Sequence, residues 1–217
     1  MKTEALVIGA SGGIGAALAD RLARDHDVTR LSRSGDGLDV TDPASVDRVL
    51  GALKGPFAVV FVATGILAPP GHAPEKSLDA IDADAMARVM AVNAIGPALV
   101  LKALAGKLAP GARVGVLTAR VGSIGDNRMG GWYSYRAAKA AANQITHGAA
   151  IELGRKDKQS VVAALHPGTV ETAFTEGYKA KKVTAEAAAD NLVGVLTGLE
   201  PAQSGGFFDY AGKPIEW

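Results

Sequence analysis

The chain contains no cysteine, which excludes disulfides, thiolate nucleophiles and thiolate metal ligands, and agrees with a reducing compartment. Histidine is scarce: His26, His72, His147 and His166 stand far apart, with no metal-ligand spacing, so no metal site is expected. Neither sign of charge is in surplus. The 23 Lys and Arg meet 22 Asp and Glu, a formal net charge of +1, which argues against a nucleic-acid-binding surface. There is no secretory apolar segment, and no apolar run reads as long enough to span a bilayer. These absences together read as a soluble, cytoplasmic protein with no membrane partner. At 217 residues the chain is long enough for one domain, 1–217, with a sizeable core.

What is present begins with Ala5-Leu6-Val7-Ile8, a short continuous apolar run of the kind found in a buried parallel strand. It runs into Gly9-Ala10-Ser11-Gly12-Gly13-Ile14-Gly15, and helical periodicity follows over 16–23. Strand, glycine turn and helix together present free backbone N–H groups and a helix dipole, which favour a phosphate. The glycines let the backbone approach a pyrophosphate closely. A second strand is expected over 27–32, with Arg33 just after it. In a dinucleotide fold an acid at this strand end holds the ribose 2′-hydroxyl, whereas an arginine accepts a 2′-phosphate. Ser32 and Arg33 stand there without an acid, which favours NADP(H) over NAD(H).

Further along, a helix is expected from Pro43 to about Leu53, capped by Thr41 or Asp42. A buried strand follows over 57–62, and then Ala63-Thr64-Gly65. Residues 66–76 read as a surface loop. A long helix is expected from about Asp82, bent near Asn93, because Pro97 has no N–H for the Asn93 carbonyl. Strands are expected over 113–118, 161–165 and 207–210, and a helix over 185–199. This alternation specifies an α/β fold: one open, doubly wound, Rossmann-type parallel sheet of about seven strands with helices on both faces.

The rest of the chain is organised around Ser134-Tyr135-Arg136-Ala137-Ala138-Lys139. Tyr135 and Lys139 lie four apart, hence on one face of the helix expected to run to about Leu153. A nearby ammonium favours the phenolate, which makes Tyr135 a usable general acid/base nearer neutral pH. The alanines of this helix lie on more than one of its faces, which suggests a second subunit packed against it, as in a homodimer.

Over nearly its full length the sequence resembles the short-chain dehydrogenase/reductase family. Gly9, Gly13 and Gly15 match that family's Gly-x-x-x-Gly-x-Gly cofactor motif, and Asp39-Val40 resembles its adenine-contacting pair. Asn93, Tyr135 and Lys139 match three members of its catalytic tetrad. Pro167-Gly168-Thr169-Val170-Glu171-Thr172 matches the segment beside the nicotinamide, with Thr172 near the carboxamide. The stretches 126–128 and 130–133 further resemble the C-factor-like, or sniffer-like, subgroup. The resemblance implies NADP(H) held by Gly9, Ser11, Gly13, Ile14, Gly15, Ser32, Arg33, Asp39, Val40, Ala63, Gly65, Tyr135, Lys139, Pro167, Gly168, Val170 and Thr172. It implies hydride transfer between the nicotinamide and a small carbonyl or alcohol substrate, and a short substrate lid between Pro167 and Ala185.

The sequence departs from the family at two places. Ala63-Thr64-Gly65 stands where the family has Asn-Ala-Gly, and Ala119 stands where strand register places the carbonyl-binding serine. Thr118 and Ser123 are the candidates for that hydroxyl. Ser123 is preferred on its distance from Tyr135, and completes the expected catalytic set Tyr135, Lys139, Asn93 and Ser123. The two departures also admit another reading, a nucleotide-binding regulator or scaffold with weak catalysis.

Overall fold

The computed structural model describes residues 2–172, 175 and 182–217. Six parallel strands form one sheet in the order β2-β1-β3-β4-β5-β6. They are β1 (Thr3–Ile8), β2 (His26–Leu31), β3 (Phe57–Val62), β4 (Leu108–Leu117), β5 (Val161–His166) and β6 (Phe207–Asp209). The helices are α1 (Gly13–Leu22), the single turn α2 (Arg33–Asp36), α3 (Pro43–Gly51), α4 (Ala83–Met90), α5 (Gly96–Leu104), α6 (Tyr133–Lys156) and α7 (Ala185–Gly198).

Side chains that alternate along a buried strand must feed two cores. Ala5, Val7, Val59 and Phe61 point to the face covered by α1 and α7, and pack with Leu18, Leu22, Leu192 and Leu196. Leu6, Ile8, Val60 and Val62 point to the opposite face and pack with Val46, Leu50, Val100, Leu104 and Leu153. Gly115 in β4 faces the first core at close quarters. A Cβ there would stand 2.9 Å from both Leu165 and Phe61.

The expectation of about seven strands resolves to six among the described residues. Between β2 and the turn at Asp39 the chain has room only for α2, whose Ser32 cap accepts from the Gly35 N–H. β2 is one edge of the sheet.

The bend expected near Asn93 takes the form of a π-turn over Ala91–Ile95, which joins α4 to α5. Pro97 continues the helix with no N–H to offer. The joined run Ala83–Leu104 is, by length and composition, apolar enough to cross a bilayer, which corrects the expectation that no such run exists. Of its apolar residues, Val89, Ala94, Val100, Leu101 and Leu104 are buried within the protein, whereas Ile95 is exposed.

The strand order reverses between β1 and β3. In doubly wound sheets the crevice outside the carboxyl ends of the strands at such a switch point is where ligands bind.

Candidate functional site

The glycine turn occupies the switch point. Gly9 has φ 88°, and a Cβ on it would come within 2.8 Å of the Ala63 carbonyl group. A Cβ on Gly15 would stand 2.1 Å from the Gly9 carbonyl oxygen. Only glycine fits either position. The N-cap Gly12 supplies no side-chain cap, and the first turn of α1 carries no acid. Its leading amides and positive dipole end therefore face the crevice uncompensated, as an anion requires.

A cavity of about 530 Å³ opens beside this turn. The sequence-predicted residues Gly13, Ile14, Gly15, Ala63, Gly65, Tyr135, Lys139, Pro167, Gly168, Val170 and Thr172 line it. Gly13 and Thr172 meet across it closely enough that a Cβ on Gly13 would lie 2.7 Å from the Thr172 methyl carbon. Residues 173–174 and 176–181, which hold most of the expected lid, lie outside the described residues.

Gly9, Ser11, Ser32, Arg33, Asp39, Val40 and Asn93 lie off this cavity. Arg33 is exposed at the end of β2, as the sequence implies. The expectation that no acid stands there needs correction. The α2 turn folds Asp36 back, and its carboxylate accepts from the Ser32 N–H at 2.8 Å and from the Ser32 hydroxyl at 3.3 Å. Asp39 is also partly engaged. Its Oδ1 accepts from the Thr41 hydroxyl at 2.6 Å and the Thr41 N–H at 2.9 Å, bonds that hold its carboxyl below the usual range. Val40 is buried where a Cβ on Gly96 would reach within 2.7 Å of it.

Tyr135 and Lys139 share the buried face of α6, 7% and 4% exposed, with the Lys139 Nζ 5.7 Å from the centre of the phenol ring. Nζ donates to the Leu117 carbonyl at 3.0 Å. Burial pushes the Lys139 ammonium down to about 8. It is still mostly charged at pH 7, and no carboxylate among the described residues pairs with it. Asn93 is fully buried, and its amide grips the loop: Oδ1 accepts from the Ile66 N–H at 3.0 Å, and Nδ2 donates to the Ile66 carbonyl at 2.7 Å.

The structure separates the two candidate hydroxyls, and it is Thr118 rather than the expected Ser123 that faces the cavity. The 3₁₀ turn Arg120–Gly122 tucks Ser123 inside, where its hydroxyl accepts from the Asp126 N–H at 3.0 Å. Ser123 does not line the cavity, whereas Thr118 does. The Thr118 hydroxyl is buried with no hydrogen-bond partner among the described residues. Two further lining residues are in the same condition: the Thr64 hydroxyl and the His166 Nδ1. Burial, with help from Arg120 and against Asp209, pushes His166 down to about 4, so the ring is neutral at pH 7.

Sequence reasoning missed Thr64, His166, Arg120 and Trp132 in the lining. Arg120 is bound to Asp209 at 3.1 Å and lies 3.5 Å from Asp126. Trp132 meets Tyr135 edge to face at 6.2 Å. For His166 a signal was available, since it directly precedes Pro167-Gly168.

A parallel sheet with a glycine turn at its switch point, and a Tyr–Lys pair on the wall beside it, defines a doubly wound nucleotide-binding domain. The family model described as enoyl-(acyl carrier protein) reductase matches residues 10–204. The 1-hydroxy-2-glutathionyl-2-methyl-3-butene dehydrogenase of Rhodococcus sp. (strain AD45) is 34% identical over 98% of each chain. The C-signal protein of Myxococcus xanthus is 36% identical over 65% of this chain and 84% of its own. Among solved structures, a putative short-chain dehydrogenase/reductase from Burkholderia multivorans with bound NADP superposes with a TM-score of 0.85. It is 25% identical, with each chain fully covered. The chain belongs to the short-chain dehydrogenase/reductase family of oxidoreductases.

The low proton affinity of Lys139 has a consequence for stability. Between pH 8 and 10.5 the unfolded chain holds a proton that the folded chain lacks, so this residue makes stability rise with pH there; below pH 8 its burial costs the fold in full. Lys139→Met should therefore be more stable than the native protein at pH 7, by about 1–3 kcal/mol. That advantage should shrink between pH 8 and 10.5. Thermal unfolding of both proteins at pH 7 and pH 10 checks it.

Proposed function

We propose that the protein is an NADP(H)-dependent oxidoreductase that interconverts a small carbonyl compound and its alcohol, with Tyr135 as the general acid/base. The observation that carries the reading is a buried phenol and a buried ammonium on one helix face, at the wall of a cavity that begins at an uncapped glycine turn. The NADP bound in the Burkholderia structure supports the choice of cofactor. The residues present fit such a cofactor: the glycine cradle has no room for a Cβ at Gly9 or Gly15, and three lining polar groups lack protein partners among the described residues.

When bound, the nicotinamide supplies or takes up the hydride. The amides of Gly13, Ile14 and Gly15 would hold the pyrophosphate, and the exposed Arg33 would take the 2′-phosphate, with Ser32 contributing only once its hydroxyl turns from Asp36. Tyr135 gives its proton to the carbonyl oxygen as charge develops there. Lys139 favours the resulting phenolate electrostatically. Thr118 replaces Ser123 in the proposed set, as the second hydrogen bond to the substrate oxygen. Asn93 anchors the loop beside the site, and its carbonyl, opposite the N–H-less Pro97, serves the family's proton-relay role. A homodimer would use the strip of Ala137, Gln144, Gly148 and Ile151 on α6, all of which are exposed.

Three outcomes are expected. NADPH oxidation, measured against a panel of aldehydes, ketones and quinones, should fall ~10²–10⁴-fold in Tyr135→Phe with NADPH binding retained. Binding without native turnover on any carbonyl would instead favour the regulator reading. On one accepted substrate, Thr118→Ala should lower the rate roughly 10-fold or more, and Ser123→Ala much less. Paired steady-state kinetics decide between them, and a more damaging Ser123→Ala would restore the loop count. By titration, Arg33→Asp should weaken NADPH roughly 10–100-fold and spare NADH, as loss of a charged hydrogen bond requires. Equal native affinity for both cofactors would sink this last expectation.

A further inference from the structure

We propose that Glu75 is a positioning residue for Tyr135, acting through the first turn of α6; the proposal rests on Tyr135 being the general acid/base. A helix start leaves amides unsatisfied, and α6 does not satisfy them itself. Its N-cap, Trp132, has no capping side chain and is held at φ 52°, a left-handed conformation costly for a bulky residue. The missing cap arrives from the loop over 66–76. The Trp132 N–H donates to the Glu75 carbonyl at 2.5 Å. The Ser134 N–H donates to Glu75 Oε2 at 3.3 Å, and the Ser134 hydroxyl donates to Oε1.

Glu75 is only 8% exposed and Ser134 2%, and no Lys or Arg among the described residues pairs with the carboxylate. A buried carboxylate is expensive unless it is well hydrogen-bonded. Here the donors are the two serine groups and the positive end of a 24-residue helix. The residues so held flank Tyr135 on its N-terminal side. Ser134 immediately precedes it, and Trp132 packs its ring edge to face on the phenol while lining the cavity. The far end of the same loop is pinned at Ile66 by Asn93. Glu75 therefore fixes the backbone from which the phenol projects, while the Lys139 ammonium stands 5.7 Å from the ring centre.

The test is a set of variants in the full chain, Glu75→Ala, Glu75→Gln, Ser134→Ala and Tyr135→Phe, each with amide hydrogen exchange at Trp132 and Ser134 as a readout that needs no turnover. Glu75→Ala should speed exchange at both amides. It should lower kcat roughly 10–100-fold, the scale of a misplaced reacting group, while KM for NADPH stays nearly constant. Glu75→Gln keeps an acceptor for the Ser134 N–H and should recover most of kcat. Ser134→Ala should cost nothing further once Glu75 is alanine. In the Tyr135→Phe background, Glu75→Ala should leave the residual rate unchanged. The proposal is overturned if the amides of Glu75→Ala stay protected, if Glu75→Gln is as damaged as Glu75→Ala, or if Glu75→Ala slows Tyr135→Phe as much as the native enzyme. A fully active Tyr135→Phe defeats the acid/base reading instead, and the exchange data still report on the cap.

Discussion

The burial of the Lys139 ammonium is the constraint on which the site depends. A charge that has lost its water needs an acceptor, and the Leu117 carbonyl at the end of β4 provides it at 3.0 Å. That bond is possible only because α6 and the end of β4 lie very close. A Cβ on Gly122 would stand 2.8 Å from the Lys139 backbone, so the 3₁₀ turn after β4 lies flush on the helix. The same approach brings Tyr135, one helical turn earlier, to the cavity wall. The proton affinity of Lys139, the placement of Thr118 and the shape of the cavity all follow from one helix pressed against one strand end.

That close packing also explains why a residue count back from Tyr135 did not arrive at a hydroxyl on the cavity wall. Counting back from Tyr135 treats the intervening loop as a flexible tether, whereas Arg120–Gly122 is wound into a turn. The winding carries Ser123 away from the cavity and satisfies it on Asp126. Thr118, the first residue after β4, keeps a buried hydroxyl with no hydrogen-bond partner among the described residues. Asp36 escaped notice for the same reason. Four residues from Ser32 in sequence, it is brought back onto Ser32 by a single helical turn.

The hydropathy of α4–α5 shows composition and context diverging. By composition the run could cross a membrane, yet it forms part of the second core, against the sheet. Apolar residues record only that they avoid water; what covers them is decided by neighbours far away in sequence. Strand order behaves alike. The runs that became β1 to β6 were all visible, and the order in which they pair was not.

The sequence by itself determined relations that span one turn or one strand. These are the glycine cradle at 9–15, the Tyr135–Lys139 pair, the interruption at Asn93 and Pro97, and the alternation that feeds two cores from each strand. Such relations depend on backbone period and on the absence of a Cβ or an N–H, which are properties of the residues themselves. The tertiary structure alone decided which hydroxyl faces the cavity, that Glu75 from a distant loop caps the helix bearing Tyr135, and that Lys139 is buried deeply enough to lower its proton affinity. These outcomes turn on what stands opposite a polar atom once the chain has closed, and a hydrogen bond or a desolvation cost exists only when that partner, or its absence, is in place.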